Sequence, residues 1–315
     1  MSKKTYNKPP LTYQEQVDLW AKRGLKVPDV HRAISYLNHI SYYRLSAYAI
    51  PFQKQKDKFD ANTEFEDILQ LYLFDRELRI LIFDAIERIE IGLRTQLIYR
   101  MAHRYGPHWH EDPKLYVTSY RNEKGFEINT YKSIQSFLKR QYNSDKPEVF
   151  VSHYLNRYEA PPTPPSWMVL ELLTLGQVSR LYSDLAENKD KAGIANYFGV
   201  HFRVFESWLH ALTYCRNLCA HHSRFWNREF HIQPKIPKKT KFNWIDSRFA
   251  INNRSFYYIN IIKYLLNVVN PHNSFKVKLE GLLEKYSNTD IRCMGIPSDA
   301  IGNPLDWNDE PLWKF

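Results

Sequence analysis

A stretch of about forty residues from Phe65, FEDILQLYLFDRELRILIFDAIERIEIGLRTQLIYRMAHRYG, holds no proline and meets no helix stop before Gly106. No other feature limits the fold as strongly, because such a run demands one very long helix or two nearly collinear ones. Thr63, with Glu66 three residues on, reads as a capping box at its start. Ile68, Leu71, Tyr72, Asp75, Leu78, Ile82, Ala85, Ile89, Leu93 and Leu97 recur every three or four positions, which marks one buried face with Asp75 as its single polar member. On the other sides Glu87, Arg88, Glu90 and Arg94 read equally well as a solvated ladder of i, i+4 pairs and as support for a site. Elsewhere apolar residues are also spaced by three to four, and only 10 glycines occur in 315 residues, so the predicted fold class is all-α.

The chain is long enough for about two domains. Residues 1–60 read as an N-terminal helical module and linker. They contain TYQEQVDLWAKRG and VHRAISYLNHISYYRLSAYAI, for which a winged-helix-like arrangement would fit, and run into the charged QKQKDKFDAN. Residues 61–315 form the main helical domain, built around the long helix. It carries an irregular insertion over about 106–165, with helical pieces at TYKSIQSFLKRQY and PEVFVSHYLNRY, and the extended connector APPTPPS. Helical stretches follow at WMVLELLTLGQVSRLYSDLA, DKAGIANYFGV and HFRVFESWLHALTYCRNLCAHHSRFW, separated by Gly176 or by a polar, glycine-containing turn. A basic loop, HIQPKIPKKTKFNW, precedes a C-terminal helical extension that includes SFYYINIIKYLLNVV.

Lys and Arg exceed Asp and Glu by 44 to 34, a formal charge of +10, which favours anionic partners such as nucleic acid or a phospholipid surface. Aromatic side chains beside many of these cations suit stacking on unpaired bases as well as ordinary packing. The opening MSKKTYNKPPLTYQEQ is polar, and no run of about eighteen apolar residues could span a bilayer, so a cytoplasmic location without membrane contact is expected. Three cysteines, Cys215, Cys219 and Cys293, are too few and too uneven for a disulfide framework.

The stretch YCRNLCAHHSRFWN concentrates the chemistry. At about 100° per helical residue, Asn217 and His221 fall near 100° and 140° from Arg216, so the three share one side. A guanidinium there can hold a phosphate, an imidazole can move a proton, and the amide can orient it. Cleavage of RNA needs little more, because the substrate's 2′-hydroxyl is itself the nucleophile, and neither metal nor cofactor is required. On the same wheel Cys215, Cys219 and His222 lie within about 60° of one another and could be zinc ligands, but a second ligand pair is missing and Cys293 stands apart. The two cysteines read more simply as small buried apolar residues. From spacing alone, a purely structural role for the Arg and His remains open.

RNLCAHHSRFWNR resembles the signature of HEPN-type ribonucleases, an Arg followed by a polar residue and, a few positions on, a His near a helix end. In order, ISYLNHISYYRLSAYAIPF, LYLFDRELRILIFDAIERIEIGLRTQL, WMVLELLTLGQVSRLY and RNLCAHHSRFWN are similar to the Abi family of abortive-infection proteins, in its AbiD/AbiF-like group. The likeness covers about residues 8–227. It implies an all-α, HEPN-like bundle, a part in phage defence, and metal-independent endoribonuclease activity that leaves a 2′,3′-cyclic phosphate. Arg216 and His221 would be the catalytic pair, with Asn217 between them and His222 as an assistant. A single motif per chain implies a homodimer, and relatives imply restraint by a partner or a small non-coding RNA. Around that pair, Arg224 and Arg228 are expected to grip flanking phosphates, and Lys235, Lys238, Lys239 and Lys241 to form a cationic loop beside the site. Tyr42, Tyr43 and Arg44 are expected to offer an RNA platform, and Glu87 or Arg88 to reach the catalytic residues from the facing helix.

Overall fold

A computed structural model describes Thr5 and residues 7–121 and 123–314; Met1 to Lys4 and Tyr6, part of the polar opening read above, lie outside it. The described residues are mostly helical, with a single two-stranded hairpin, Tyr120–Arg121 (β1) against Glu127–Ile128 (β2). They divide into two compact units, residues 1–78 with 280–289, and residues 79–279 with 290–315. The division falls inside the long helix and not at the charged linker near residue 60.

In the first unit, α1 (Tyr13–Lys22) opens on a full capping box between Thr12 and Glu15, α2 (Val30–His39) on Asp29 and α3 (Tyr42–Ala49) on Ser41. Trp20, Leu37, Leu45 and Tyr48 are buried together with Phe65, Ile68 and Phe74 from the start of α4 (Phe65–Tyr105). Asp75 is fully buried on this apolar face and accepts a 2.6 Å hydrogen bond from the Tyr48 hydroxyl, so the one polar member of the predicted stripe has a partner. Besides its helices, the described residues of this unit form two isolated bridges, Lys26 with Glu64 and Gln55 with Lys58. The capping box expected from Thr63 and Glu66 fails to form. The Thr63 hydroxyl donates to the Asp60 carbonyl, Asp67 accepts from the Glu64 amide at 2.8 Å, and Glu66 turns outward to Arg32.

In the second unit the uninterrupted remainder of α4 is followed by 3₁₀ turns, the hairpin, α5 (Thr130–Tyr142) and α6 (Val149–Arg157). A short α7 (Ser166–Val169) leads to α8 (Leu175–Ser183), whose capping box joins Thr174 and Gln177. The helix boundary therefore lies at Thr174, and Gly176 sits inside the new helix. Then come α9 (Asn188–Tyr197), α10 (Phe202–Ala220), α11 (Ser255–Val269) and α12 (Phe275–Lys285), the last of which ends in the first unit. α10 packs against α8, α9 and α11. Every residue of α11 from Ser255 to Leu266 is buried, as expected of a helix enclosed on all sides. Within it Asn260 accepts a 2.7 Å hydrogen bond from the Trp313 indole. Gly92 of α4 lies where a Cβ would come within 2.5 Å of Val269 Cγ1, so its missing side chain lets α4 and α11 touch.

His110, in a 3₁₀ turn after α4, is fully buried, and neither ring nitrogen has a hydrogen-bond partner among the described residues. Burial, helped by neighbouring His108, pushes its pKa down to about 4 from an ordinary 6.5. The folded chain thus holds this ring neutral at pH values where the unfolded chain protonates it. The contribution to stability is intact above the unfolded pKa and is lost as the pH falls from about 6.5 towards 4. Relative to His110→Leu, the wild-type protein should lose about 2 kcal/mol of unfolding free energy between pH 7 and pH 5, read from urea denaturation at the two pH values. Parallel loss in both proteins would refute the assignment.

Candidate functional site

One face of α10, made of Phe205, Trp208, Leu209, Leu212, Cys215 and Cys219, is buried with the helical spacing of a core stripe. Cys215 is wholly enclosed, and burial pushes its thiol pKa well up, with Cys219 beside it adding to the shift. The two cysteines are buried core residues. Among the described residues, no three His, Cys, Asp or Glu side chains gather as a set of metal ligands.

α10 ends at Ala220, and this changes the reading of both histidines. His221 is the C-cap, its amide donating to the Asn217 carbonyl at 2.9 Å. His222 adopts the left-handed conformation, φ +56°. Its amide donates to the Cys219 carbonyl at 3.1 Å, and the Ser223 amide donates to the Leu218 carbonyl at 2.9 Å. These two bonds are a complete Schellman motif, with histidine where glycine is usual. His222 is therefore off the helical wheel that grouped it with the cysteines, and its geometry defines a role in turning the chain.

Asn217 and His221, one turn apart, are exposed, and the His221 ring makes no hydrogen bond to another described residue. Arg216 is half-buried and points to α4, its guanidinium carbon 5.4 Å from the centre of the Phe83 ring. Beyond that ring lies an ionic chain. Arg94, itself buried, donates to Glu90 at 2.8 Å, to Glu171 at 3.1 Å and to the Leu173 carbonyl at 3.0 Å. Burial raises the Glu90 pKa, while the positive charges of Arg94 and Arg216 oppose the rise. The carboxylate within the field of Arg216 is thus Glu90. Glu87 and Arg88, expected to make this contact, are exposed, and Arg88 pairs with Asp84 of its own helix at 3.6 Å. Counting along α4 could have found Glu90, because it borders the buried series Ile86, Ile89 and Leu93 and lies four residues before Arg94.

After the turn, Phe225 and Trp226 are buried and anchor the segment, the Trp226 indole donating to the Asp290 carbonyl at 3.1 Å. Arg224 and Arg228 are half-buried; Arg228 folds back to donate to the Tyr214 hydroxyl at 3.3 Å and to the Arg224 carbonyl at 3.2 Å. Both arginines therefore stay close to the end of α10. The basic loop does not. Lys235 is pinned by its backbone to Ser207 and to the Trp208 indole, and the Lys241 amide donates to the Gly199 carbonyl at 2.7 Å. At 1.5 Å per residue, the Ser207 and Trp208 anchors lie roughly 20 Å along the helix axis from His221. Lys235, Lys238, Lys239 and Lys241, all exposed, accordingly follow the N-terminal end of α10 and are not beside the predicted catalytic pair. Tyr42, Tyr43 and Arg44 belong to the first unit. There Tyr42 packs 4.7 Å from Trp20 and accepts a hydrogen bond from Arg23, whereas Tyr43 is 86% exposed. Of the two tyrosines, Tyr43 has the open face.

Together these features define a mostly helical protein of the all-α class with an arginine and a histidine at the capped end of a core helix. The sequence model of the Abi-like protein family matches residues 35–227, more than half of the chain, and the chain belongs to that family. The match ends at Asn227, just past the Arg216 to His222 turn, and the membership points to abortive infection, a defence against phage. No curated protein and no solved structure matches the chain.

If His222 serves the backbone turn, His222→Gly should hold or raise the melting temperature, while His222→Val, which tolerates positive φ poorly, should lower it. The two variants should differ by roughly 1 kcal/mol or more in thermal or urea unfolding. Equal stabilities would show that the turn does not depend on the residue at this position.

Proposed function

We propose that the chain is a HEPN-type, metal-independent endoribonuclease of the AbiD/AbiF-like group, acting in the cytoplasm in abortive infection, with Arg216 and His221 as its reacting pair. The observation that supports this most is the contrast between the two side chains: Arg216 is seated by Phe83 and the Glu90 field, and His221 stands open at the helix end. In the reaction, the His221 imidazole accepts the proton of a ribose 2′-hydroxyl. The 2′-oxygen then attacks the adjacent phosphorus, the 5′-oxygen leaves with a proton returned by an imidazolium, and a 2′,3′-cyclic phosphate results. Arg216 offsets the charge that builds on the phosphoryl oxygens, and Asn217 orients the bound strand.

One imidazole cannot hold both the base and the acid form in a single step, and a second copy of the chain supplies the other. Ile80, Phe83 and Ile91 support pairing, since all three expose apolar surface on α4 around the helix face that meets Arg216. At rest the enzyme is restrained by a bound partner, for which a non-coding RNA suits the net charge of +10.

Protein stripped of bound RNA should cleave single-stranded RNA in the presence of a chelator. Arg216→Ala and His221→Ala should each reduce the rate by about a hundredfold or more, and His222→Gly should retain activity. Solution mass should correspond to two chains. If neither variant altered cleavage or phage protection, the proposal would fail; RNA bound equally by wild type and His221→Ala, with no cleavage by either, would identify an RNA-holding module instead.

A further inference from the structure

A cleft of about 1040 Å³ opens in the second unit, away from the residues just discussed, and no role has been assigned to it. Its walls come from α4, the end of α9, the basic loop after residue 231, and α11 with the turn that follows it. Among the described residues, three cationic or protonatable side chains, Arg100, Lys241 and His272, line it, and no Asp or Glu side chain does. Charges of one sign without a counter-charge in the same cleft favour an anionic ligand. Two flat rings, Tyr197 and Phe242, line it with 37% and 41% of their surface exposed. Such half-open aromatic faces suit a stacked planar group. Asn196, Asn243 and Asn267 also line the space; Asn243 donates once to the Pro311 carbonyl and Asn267 accepts once from Asn273. An amide side chain, with two donor hydrogens and an oxygen acceptor, suits the edge of a nucleobase.

The wall carrying Lys241 and Phe242 is fixed in place. The Lys241 amide bonds the Gly199 carbonyl at 2.7 Å, and the same carbonyl accepts from the Tyr264 hydroxyl at 3.1 Å. Gly199 has φ +70°, and a Cβ there would fall 2.8 Å from both Lys241 Cβ and the Phe242 ring. Only glycine allows this approach, which seats the Lys241 ammonium 5.3 Å from the centre of the Phe242 ring. A ring with a cation over it is thereby held in the wall of the cleft. The cleft is at the large end of the range usual for small-molecule sites, enough for a base, a sugar and a phosphate together.

We infer that this cleft is a nucleoside phosphate site: the base stacks on Phe242 or Tyr197 with its edge on the asparagine amides, and the phosphate is held by Arg100, Lys241 and His272. The ligand is either a free nucleotide or the phosphorylated end of an RNA strand, which share this chemistry. The site uses none of the residues from Arg216 to His222, and it stands whether or not those residues cleave RNA.

Calorimetric titration of the full-length protein decides the matter. The probes are the four ribonucleoside 5′-monophosphates, the matching nucleosides, inorganic phosphate, and a 5′-phosphorylated trinucleotide. At least one monophosphate or the trinucleotide should bind at least tenfold more tightly than its nucleoside and than phosphate. Arg100→Ala and Lys241→Ala should each weaken that binding at least fivefold, with Lys241→Arg restoring it. Phe242→Leu should erase the advantage over phosphate, and Arg216→Ala/His221→Ala should bind as wild type does. A trinucleotide that binds more tightly than every monophosphate identifies a strand end, and the reverse order a free nucleotide. Phosphate binding as tightly as any nucleotide, no binding below millimolar concentration, or binding unmoved by variants whose melting temperatures match wild type would overturn the inference.

Discussion

Burial of one stripe of α10 governs the functional end of this protein. With Phe205, Trp208, Leu212, Cys215 and Cys219 directed at α8, α9 and α11, the helical period leaves no freedom over where the intervening residues go. Arg216 must turn to the border with α4, and Asn217 to solvent. Burying side chains of this size contributes about 1.5–3 kcal/mol each, far more than any exposed ion pair could offer, so the core sets the direction of the guanidinium and not the reverse.

The second constraint acts from the opposite side. α4 comes close to α11 because Gly92 carries no side chain, and α11 in turn packs on α10. Phe83 and Glu90 are on the same helix as Gly92, so one absent methyl group helps fix where Arg216 finds its partners. Glu90 and Arg94 are both largely removed from water, and isolating either would be costly; together with Glu171 and the Leu173 carbonyl they form a paired network. Arg216 meets its field from the edge, held by a ring face and by a carboxylate already engaged. It therefore keeps hydrogen-bonding capacity for an incoming anion.

Periodicity carried much of this into the sequence. The length of α4, the span of α5 and the sidedness of α10 were all legible, because each follows from apolar residues at three-and-four spacing between identifiable ends. The sequence also drew attention to Arg216 and His221 through their spacing. What spacing could not convey was where a helix stops when the stopping residue is not glycine. The wheel ran on through His222, whereas the backbone had already turned. Nor could it convey that Glu90, and not Glu87, borders the packed face, since that depends on the phase of α4 against α10. The basic loop was misplaced for a related reason. Nearness in sequence to His221 suggested nearness in space, but Phe225 and Trp226 are buried just after the turn, and the chain then runs back along α10 to Ser207 and Gly199.

That reversal separates two sets of cations that composition had merged into one net charge. Arg216 and Arg228 each lie over an aromatic ring, Arg216 in the field of Glu90 and Arg228 bonded to the Tyr214 hydroxyl, contacts that orient the plane of a guanidinium. Lys241 lies over a ring as well, but in a cleft that no described Asp or Glu side chain lines, and some 20 residues of helix away from the turn. The turn that divides the two sets depends on a histidine in a left-handed conformation, which for a residue with a Cβ costs about 1 kcal/mol or more. A strained position of this kind persists only where the surroundings determine it, and here both Schellman bonds and the buried Phe225 and Trp226 do so. The left-handed residue follows directly on the C-cap, His221, and so leaves that imidazole exposed at the end of α10 and free of the core.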